Sequence, residues 1–368
     1  MPEFHIRSIT WDLEYNIDSD ITLYTLYNGA AFRICYVAEQ LTDSPSILKQ
    51  HHELYAILYE DDPEGNSREA AKCLRRPFEE LMMQLAPDPL TESARSLHSY
   101  LYPPSFILEA TVAESHVQPR LKAALSRQEF IRPGDYVDSK FIRQHLSPLA
   151  SRLEKYSSRQ VQVLAHTPRL VPSMVCVDCT TYFFKPWVSG RVHGYHELQA
   201  YEKILAAAKA RPSLLHNAYI CRLHGLIIDQ DDDVLQHYRL DSDEEDYPGT
   251  RLVGLLLTHI ENKGTLKDLA PWSDCIDEDR ARWSRQICDS VQCLHAAGVV
   301  WGDAKPENVL IGKDGNAYLI DFGGSYTRGW VDEDKRETMK GDLQGVKRIG
   351  EWLDKWSEKP VTRVQEQI

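Results

Sequence analysis

Residues 298–324 read GVVWGDAKPENVLIGKDGNAYLIDFGG. Asp303, Lys305 and Asn308 share one loop. Asn308 leads into a short apolar strand, residues 309–311; Lys313-Asp314-Gly315-Asn316 is a turn, and residues 318–320 form the returning strand, with Asp321 at its end. A hairpin of this kind sets Asn308 and Asp321 at the same end of two paired strands. Two oxygen-bearing side chains so placed suit Mg2+, a hard cation that takes oxygen ligands and fills its shell with water and phosphate. Asp303 is placed to orient a hydroxyl and accept its proton, and Lys305 to neutralise a phosphoryl group in flight. Gly323 and Gly324 permit a sharp turn after Asp321.

Working upstream, residues 279–297 carry Trp283, Ile287, Val291 and Leu294 at helical spacing. His295 lies near the end of that helix and Gly298 just beyond it, as at a helix terminus. Residues 160–165, 174–177, 181–185, 218–228 and 252–260 read as strands, and 195–209 as a helix with Leu198, Tyr201, Ile204 and Leu205 on one side. The acidic stretch 229–249 reads as a solvated loop, because like charges repel and apolar content is poor. Downstream, residues 342–352 predict another helix, with Leu343, Val346 and Ile349 inward.

Asp303-Ala-Lys305-Pro-Glu-Asn308 followed by Asp321-Phe322-Gly323 resembles the D-x-K-x-x-N and D-F-G elements of the eukaryotic protein kinase superfamily, in residues and in spacing. The resemblance covers about residues 158–356. It implies an α+β, bilobal protein-kinase-like fold: a small lobe at 158–260 containing the acidic loop 229–249, and an abbreviated large lobe at 261–356. A mixed α/β domain of unreadable role at 1–157 precedes it, and a flexible tail, 357–368, follows. The implied cofactors are ATP and Mg2+, and the implied reaction is phosphotransfer to a hydroxyl, foremost of a protein Ser or Thr. A small-molecule alcohol, as in aminoglycoside and choline kinases, is a second substrate class, and a pseudokinase scaffold is the rival reading.

The same resemblance assigns residues. Asp303 would be the catalytic base, Lys305 would neutralise the phosphoryl group in flight, and Asn308 and Asp321 would hold the metal. Lys185, in TTYFFKPW, would bind the α- and β-phosphates and pair with a glutamate on the next helix. That helix offers Glu197 and Glu202, and Glu202, in AYEKILAAA, fits the family pattern better. Thr258 and Ile260 lie on the segment whose backbone would hydrogen-bond adenine. Asp342, in MKGDLQGVKRI, resembles the buried aspartate that anchors the catalytic loop through backbone N–H groups. WGDAKPEN, DFGGSY, GW and GDLQG together look like kinase-like proteins of filamentous fungi.

Three departures stand out. The interval 161–177, VQVLAHTPRLVPSMVCV, has no glycine where the family has a glycine-rich phosphate loop. Trp301-Gly302 stands where the family has His-Arg, whose arginine receives an activation-segment phosphate. The A-P-E element is absent, and about twenty residues separate Asp321 from Asp342. Candidate acceptors Ser325, Tyr326, Thr327 and Thr338 lie near Asp332, Glu333 and Asp334, whose charge opposes a docked phosphate and is offset in part by Arg328 and Arg336. Activity independent of segment phosphorylation is the expectation.

Composition frames this reading. At 368 residues two or three folding units are expected. A net charge of −13 disfavours a general nucleic-acid or anionic-membrane partner. No apolar run approaches the ~20 residues of a membrane-spanning helix, and the opening MPEFHIRSITWDLEYN lacks the pattern of a secretory signal. An intracellular protein, cytoplasmic or nuclear, is expected. The eight cysteines are scattered, and Cys176 and Cys179 form a lone C-x-x-C without the second pair a zinc site needs. In residues 1–150, the runs 21–27, 31–37 and 54–59 read as strands. Asn28-Gly29 is a hairpin turn, and 68–85 reads as a helix stopped by Pro87 and Pro89.

Overall fold

Period-2 burial along residues 21–36 starts the first sheet. In this computed structural model, which describes residues 5–10, 18–59, 66–87, 96–125, 135–136, 139–164, 173–187, 192–230, 250–271 and 276–358, strands β1 (His5–Thr10), β2 (Ile21–Tyr27) and β3 (Ala30–Tyr36) form an antiparallel meander. Asn28 and Gly29 turn β2 into β3 with φ of 47° and 76°, the left-handed pair that a tight hairpin requires. Strand β4 (Ser105–Ala113) joins β3 in parallel, and β5 (His116–Leu125) pairs antiparallel with β4. Ile21, Leu23, Ile34, Tyr55, Leu74 and Phe78 share the core of this unit. The Tyr36 hydroxyl donates to the Leu74 carbonyl at 2.7 Å inside it.

Two local expectations change here. Residues 54–59 end a helix, Pro45–Tyr59, rather than forming a strand. Its buried residues His51, Tyr55 and Leu58 fall at i, i+4 and i+7, a period that a six-residue apolar run is too short to reveal. Residues 68–85 are two helices, Asn66–Arg75 and Glu79–Leu85, joined by a 3-10 turn at Arg76–Phe78. Pro77 lacks the N–H that would continue the ladder.

Described residues up to 125, together with 159–164, make this first unit; 135–136, 139–158 and 173–358 make a second. The structure thus draws its boundary differently from a single cut at 157/158. Strands β6 (Asp135–Tyr136) and β7 (Glu154–Tyr156) precede that cut and yet pair within the second unit. Among the described residues 160–164 the one strand is β8 (Gln162–Val163), bridged to Ser96 in the first unit.

In the second unit, β9 (Met174–Val177) and β10 (Thr180–Pro186) form a hairpin turned at Asp178-Cys179, where the free thiols Cys176 and Cys179 sit. Strands β11 (Leu223–Gln230) and β12 (Thr250–Thr258) complete the order β7-β11-β12-β10-β9. The strand expected at 218–228 starts only at Leu223; before it, Ile220 makes one parallel bridge to Leu319. Strand β12 is buried along nearly its whole length, as a central strand with both faces covered must be. The helix Val192–Ala210 contributes Leu198, Tyr201 and Ile204 to the core.

The chain then becomes helical. Strand β13 (Asn262–Thr265) and the helix Leu266–Leu269 lead into the helix Asp277–Ala296. Strands β14 (Val309–Gly312) and β15 (Ala317–Leu319) form the hairpin read from sequence, in a sheet ordered β13-β14-β15. The last described helix is Met339–Glu358. A sheet-rich half followed by a helix-rich half gives the expected bilobal α+β arrangement. Residues 231–249 of the acidic stretch, 165–172 of the glycine-free interval and 359–368 of the tail lie outside the described residues. No helix among the described residues is long and apolar enough to cross a membrane.

Glu109 on β4 is buried and accepts from Arg120, Lys122 and Gln40. These hydrogen bonds, led by that of Arg120, hold its carboxyl at about 2, against an ordinary 4.5. A depressed carboxyl stabilises the folded state fully above its unfolded value, and the stabilisation is lost as pH falls through the folded one. The first unit should therefore weaken between pH 4.5 and about 2. Glu109→Gln should lower stability at neutral pH and flatten that decline, as read by hydrogen exchange of the β4 amides across the window.

Candidate active site

The loop that carries Asp303 hangs from one buried carboxylate. Asp342 lies in the first turn of the helix Met339–Glu358 and is 1% exposed. Its Oδ2 accepts from the Trp301 N–H and from His295 Nε2, and its Oδ1 accepts from the Gly302 N–H, all at 2.8 Å. A buried carboxylate is tolerated only when donors replace its water, and here three do. Trp301, fully buried, donates from its indole to the Ile320 carbonyl at 2.9 Å, which fastens the loop to the strand leading to Asp321. Gly302 has φ of +90°, and a Cβ there would stand 2.7 Å from the Gly324 Cα. An arginine at this position would collide with the turn after Asp321. Gly345 allows a second close approach: a Cβ on it would meet Ala304 Cβ at 2.5 Å. The stretch Gly341–Gly345, GDLQG, is therefore the plate on which the loop rests.

The chemistry-bearing side chains meet above that plate. Asp303 is 7% exposed. Its Oδ1 accepts from the Thr327 hydroxyl at 2.8 Å, and Lys305 donates to the same hydroxyl at 2.9 Å and forms an ion pair with Asp303 Oδ2. Asn308 Nδ2 donates to the Asp303 carbonyl at 2.9 Å and to Oδ2 at 3.2 Å. Pairing of Val309 with Leu319, and an Ile320 N–H bond to the Asn308 carbonyl at 3.1 Å, put Asn308 and Asp321 at one end of the hairpin. Asp321 has φ of 61°, a strained value for a non-glycine residue of the kind that clusters at functional sites.

Lys185, on β10, reaches this end of the hairpin. Its Nζ donates to Glu197 Oε1 at 2.8 Å and to Asp321 Oδ1 at 3.0 Å. Burial works to lower the Lys185 pKa, but the two carboxylates outweigh it and hold the ammonium above its ordinary range. Glu197, not Glu202, is the partner. Glu197 is 3% exposed on the helix Val192–Ala210, while the Glu202 carbonyl accepts from Arg152 at 3.5 Å. The two residues are five apart, which on a 3.6-residue period turns them some 140° from each other. The choice between them depends on how the helix is rotated against the sheet. Phe322 is buried edge-on against Tyr201 at 5.5 Å, one turn along from Glu197, which fixes that rotation.

Thr258 and Ile260 stand where β12 leaves the sheet. The Thr258 amide and hydroxyl are engaged with Arg222 and His224, and the Ile260 carbonyl accepts from the Asn262 side chain at 2.9 Å. The donor set fits a hard cation: the Asp321 carboxylate is half exposed, and Asn308 turns its amide nitrogen toward Asp303, leaving the carboxamide oxygen as its ligand atom.

Residues 245–342 match the model of the protein kinase domain. The second unit is protein-kinase-like. Similar proteins include the serine/threonine-protein kinase PKH3 of Eremothecium gossypii, 33% identical over 99 residues, 24% of this chain and 14% of that kinase. The hormonally up-regulated neu tumor-associated kinase of Mus musculus is 40% identical over 91 residues, 22% of this chain and 13% of that protein. The maternal embryonic leucine zipper kinase of Xenopus tropicalis is 46% identical over 61 residues, 16% and 9% of the two chains. The chain thus matches about a seventh or less of the length of these curated relatives. Within the kinase-like unit, sequence reasoning missed His295 and Thr327 as parts of the constellation, and named Glu197 only as the alternative to Glu202. His295 announced itself only as a helix-end residue, and Thr327 only as a hydroxyl in a short segment.

Asp342→Ala would leave the Trp301 and Gly302 N–H groups buried without an acceptor, at roughly 1–3 kcal/mol each. The kinase-like unit should lose about 2–6 kcal/mol, measured by urea unfolding followed through tryptophan fluorescence.

Proposed function

We propose that the kinase-like unit transfers the terminal phosphoryl group of Mg2+–ATP to a hydroxyl, foremost a protein Ser or Thr, inside the cell. The observation that carries this reading is the convergence of two independent clusters, Lys185–Glu197–Asp321 and Asp303–Lys305–Asn308, at one end of the β14–β15 hairpin. The bound nucleotide and metal would supply the phosphoryl group and neutralise much of its charge. Lys185, kept charged by its two carboxylates, would position the α- and β-phosphates. Asp321 and Asn308 would present oxygens to the metal. Asp303 would orient the acceptor hydroxyl and take its proton as the new O–P bond forms and the bond to ADP breaks. Lys305 would offset charge on the transferring group. Thr258 and Ile260 mark the strand end whose backbone would meet adenine.

The rival reading is a non-catalytic nucleotide-binding or scaffold module, favoured by the glycine-free interval 161–177. Thermal shift with ATP, with and without Mg2+, followed by radiolabelled transfer to proteins and metabolites from a cell extract, separates the two. Asp303→Ala should reduce turnover at least ~100-fold with nucleotide affinity nearly unchanged. Asp321→Asn should abolish the Mg2+-dependent gain in ATP affinity, and Mg2+-dependent binding that persists in it would remove Asp321 from the metal site. Glu197→Gln should weaken nucleotide binding, and Glu202→Gln should leave it as in the wild type.

A further inference from the structure

The segment after Asp321 is tied down at three points. Thr327 is held by Asp303 and Lys305. Asp332 accepts from Lys335 and from Arg348, each at 2.8 Å, and Trp330 packs edge-on against Trp352 at 6.0 Å. The third point is Glu337. Its Oε1 accepts from the Ser325 N–H at 3.3 Å and lies at ion-pair distance, 3.6 Å, from Nδ1 of His196. His196 directly precedes Glu197 on the helix Val192–Ala210. The joint is tight: a Cβ at Gly324 would stand 2.9 Å from His196 Nδ1 and 3.3 Å from Glu337 Oε1. Glu337 itself has φ of 54°, a conformation that costs a non-glycine residue free energy and persists where its surroundings over-determine it.

We infer that Glu337 and His196 are positioning residues: a fixed carboxylate holds the turn after Asp321 against the helix that presents Glu197, and so keeps the Lys185–Glu197 pair engaged without any added phosphate. The inference rests on the phosphotransfer reading for its kinetic consequence, but its structural claim stands apart from it. Gly302 offers no side chain to a phosphate, and its backbone is pressed against Gly324, one residue from the Ser325 amide that Glu337 holds. The permanent negative charge of Glu337 occupies the junction of the segment and the helix, where a modification-dependent kinase would need a charge to be added. A glutamate there is charged from synthesis onward and is indifferent to phosphatases.

Two arms test this in the full chain. In the first, hydrogen exchange is compared for the wild type, Glu337→Ala, Glu337→Gln and His196→Ala. Glu337→Ala should speed exchange both at 323–327 and in the first turns of the helix Val192–Ala210. Loosening of 323–327 alone, with the helix unchanged, overturns the inference whether or not the protein is an enzyme. Glu337→Gln keeps an acceptor for the Ser325 amide and loses the charge, so it should loosen the helix more than the turn; it serves also if the alanine variant fails to fold. In the second arm, turnover of protein made in bacteria should survive phosphatase treatment. Glu337→Ala and His196→Ala should each lower turnover roughly 10-fold or more through misplacement of the site, with unchanged melting temperature. The double variant should be no worse than the poorer single one, because the two residues act through one contact. Additive losses, or a rate that collapses on dephosphorylation and returns when Ser325, Tyr326, Thr327 or Thr338 is rephosphorylated, overturn it. A wild type with no transfer activity refutes the phosphotransfer reading and the kinetic claim with it, and leaves the exchange arm to decide the structural one.

Discussion

The site depends first on the buried carboxylate of Asp342. Removing a charge from water costs several kcal/mol unless donors replace the lost solvent. Trp301, Gly302 and His295 provide those donors from a loop and from the end of another helix. Charge-assisted bonds of this kind are stronger and more directional than neutral ones. The exchange therefore fixes where residues 301 and 302 lie, and with them Asp303. Because the Trp301 indole also bonds the Ile320 carbonyl, the same anchor reaches the strand that ends in Asp321. Candidate acid–base residue and candidate metal ligand are thus referred to a single point in the helical half of the unit.

The second constraint is steric. Gly302, Gly324 and Gly345 each sit where a Cβ would meet backbone or a fixed side chain. Their absence of side chain lets the loop that carries Asp303 lie between the helix Met339–Glu358 and the turn after Asp321. This accounts for the missing arginine before Asp303 more directly than loss of function does: the loop is packed too closely to admit one. The ordering that an arginine and a phosphate would give is distributed over Thr327, Asp332 and Glu337, all of which already have partners. The strained backbone of Asp321 is held by the same packing, with Lys185 on one side and buried Phe322 on the other.

Much of this was legible in the chain. The D-x-K-x-x-N and D-F-G spacing and the β14–β15 hairpin between them follow from local pattern, and the buried role of Asp342 and the lysine on β10 came from the family resemblance those motifs carry. Local pattern suffices where residues that cooperate are close in sequence or where the loop between them is a short hairpin. Elsewhere it ran out. Residues 54–59 could not be told from a strand, because a short apolar run carries no period. Pro77 was passed over inside an otherwise helical stretch. Residues 135–156 were read with the sequence that surrounds them, although β6 and β7 pair with strands about 70 to 120 residues further on.

The sequence by itself determined which chemical groups the protein has and, through hairpin register, that Asn308 and Asp321 share one end of a two-stranded ribbon. Only the tertiary structure decided which glutamate Lys185 meets. Glu197 and Glu202 lie on the same helix, the family pattern favoured Glu202, and the choice depends on helix rotation, which Phe322, Tyr201 and the sheet impose from outside. The same holds for Thr327, His196 and Glu337. Each is an ordinary polar residue in the sequence, and each acquires a role because a buried carboxylate and three close-packed glycines bring distant segments to one place.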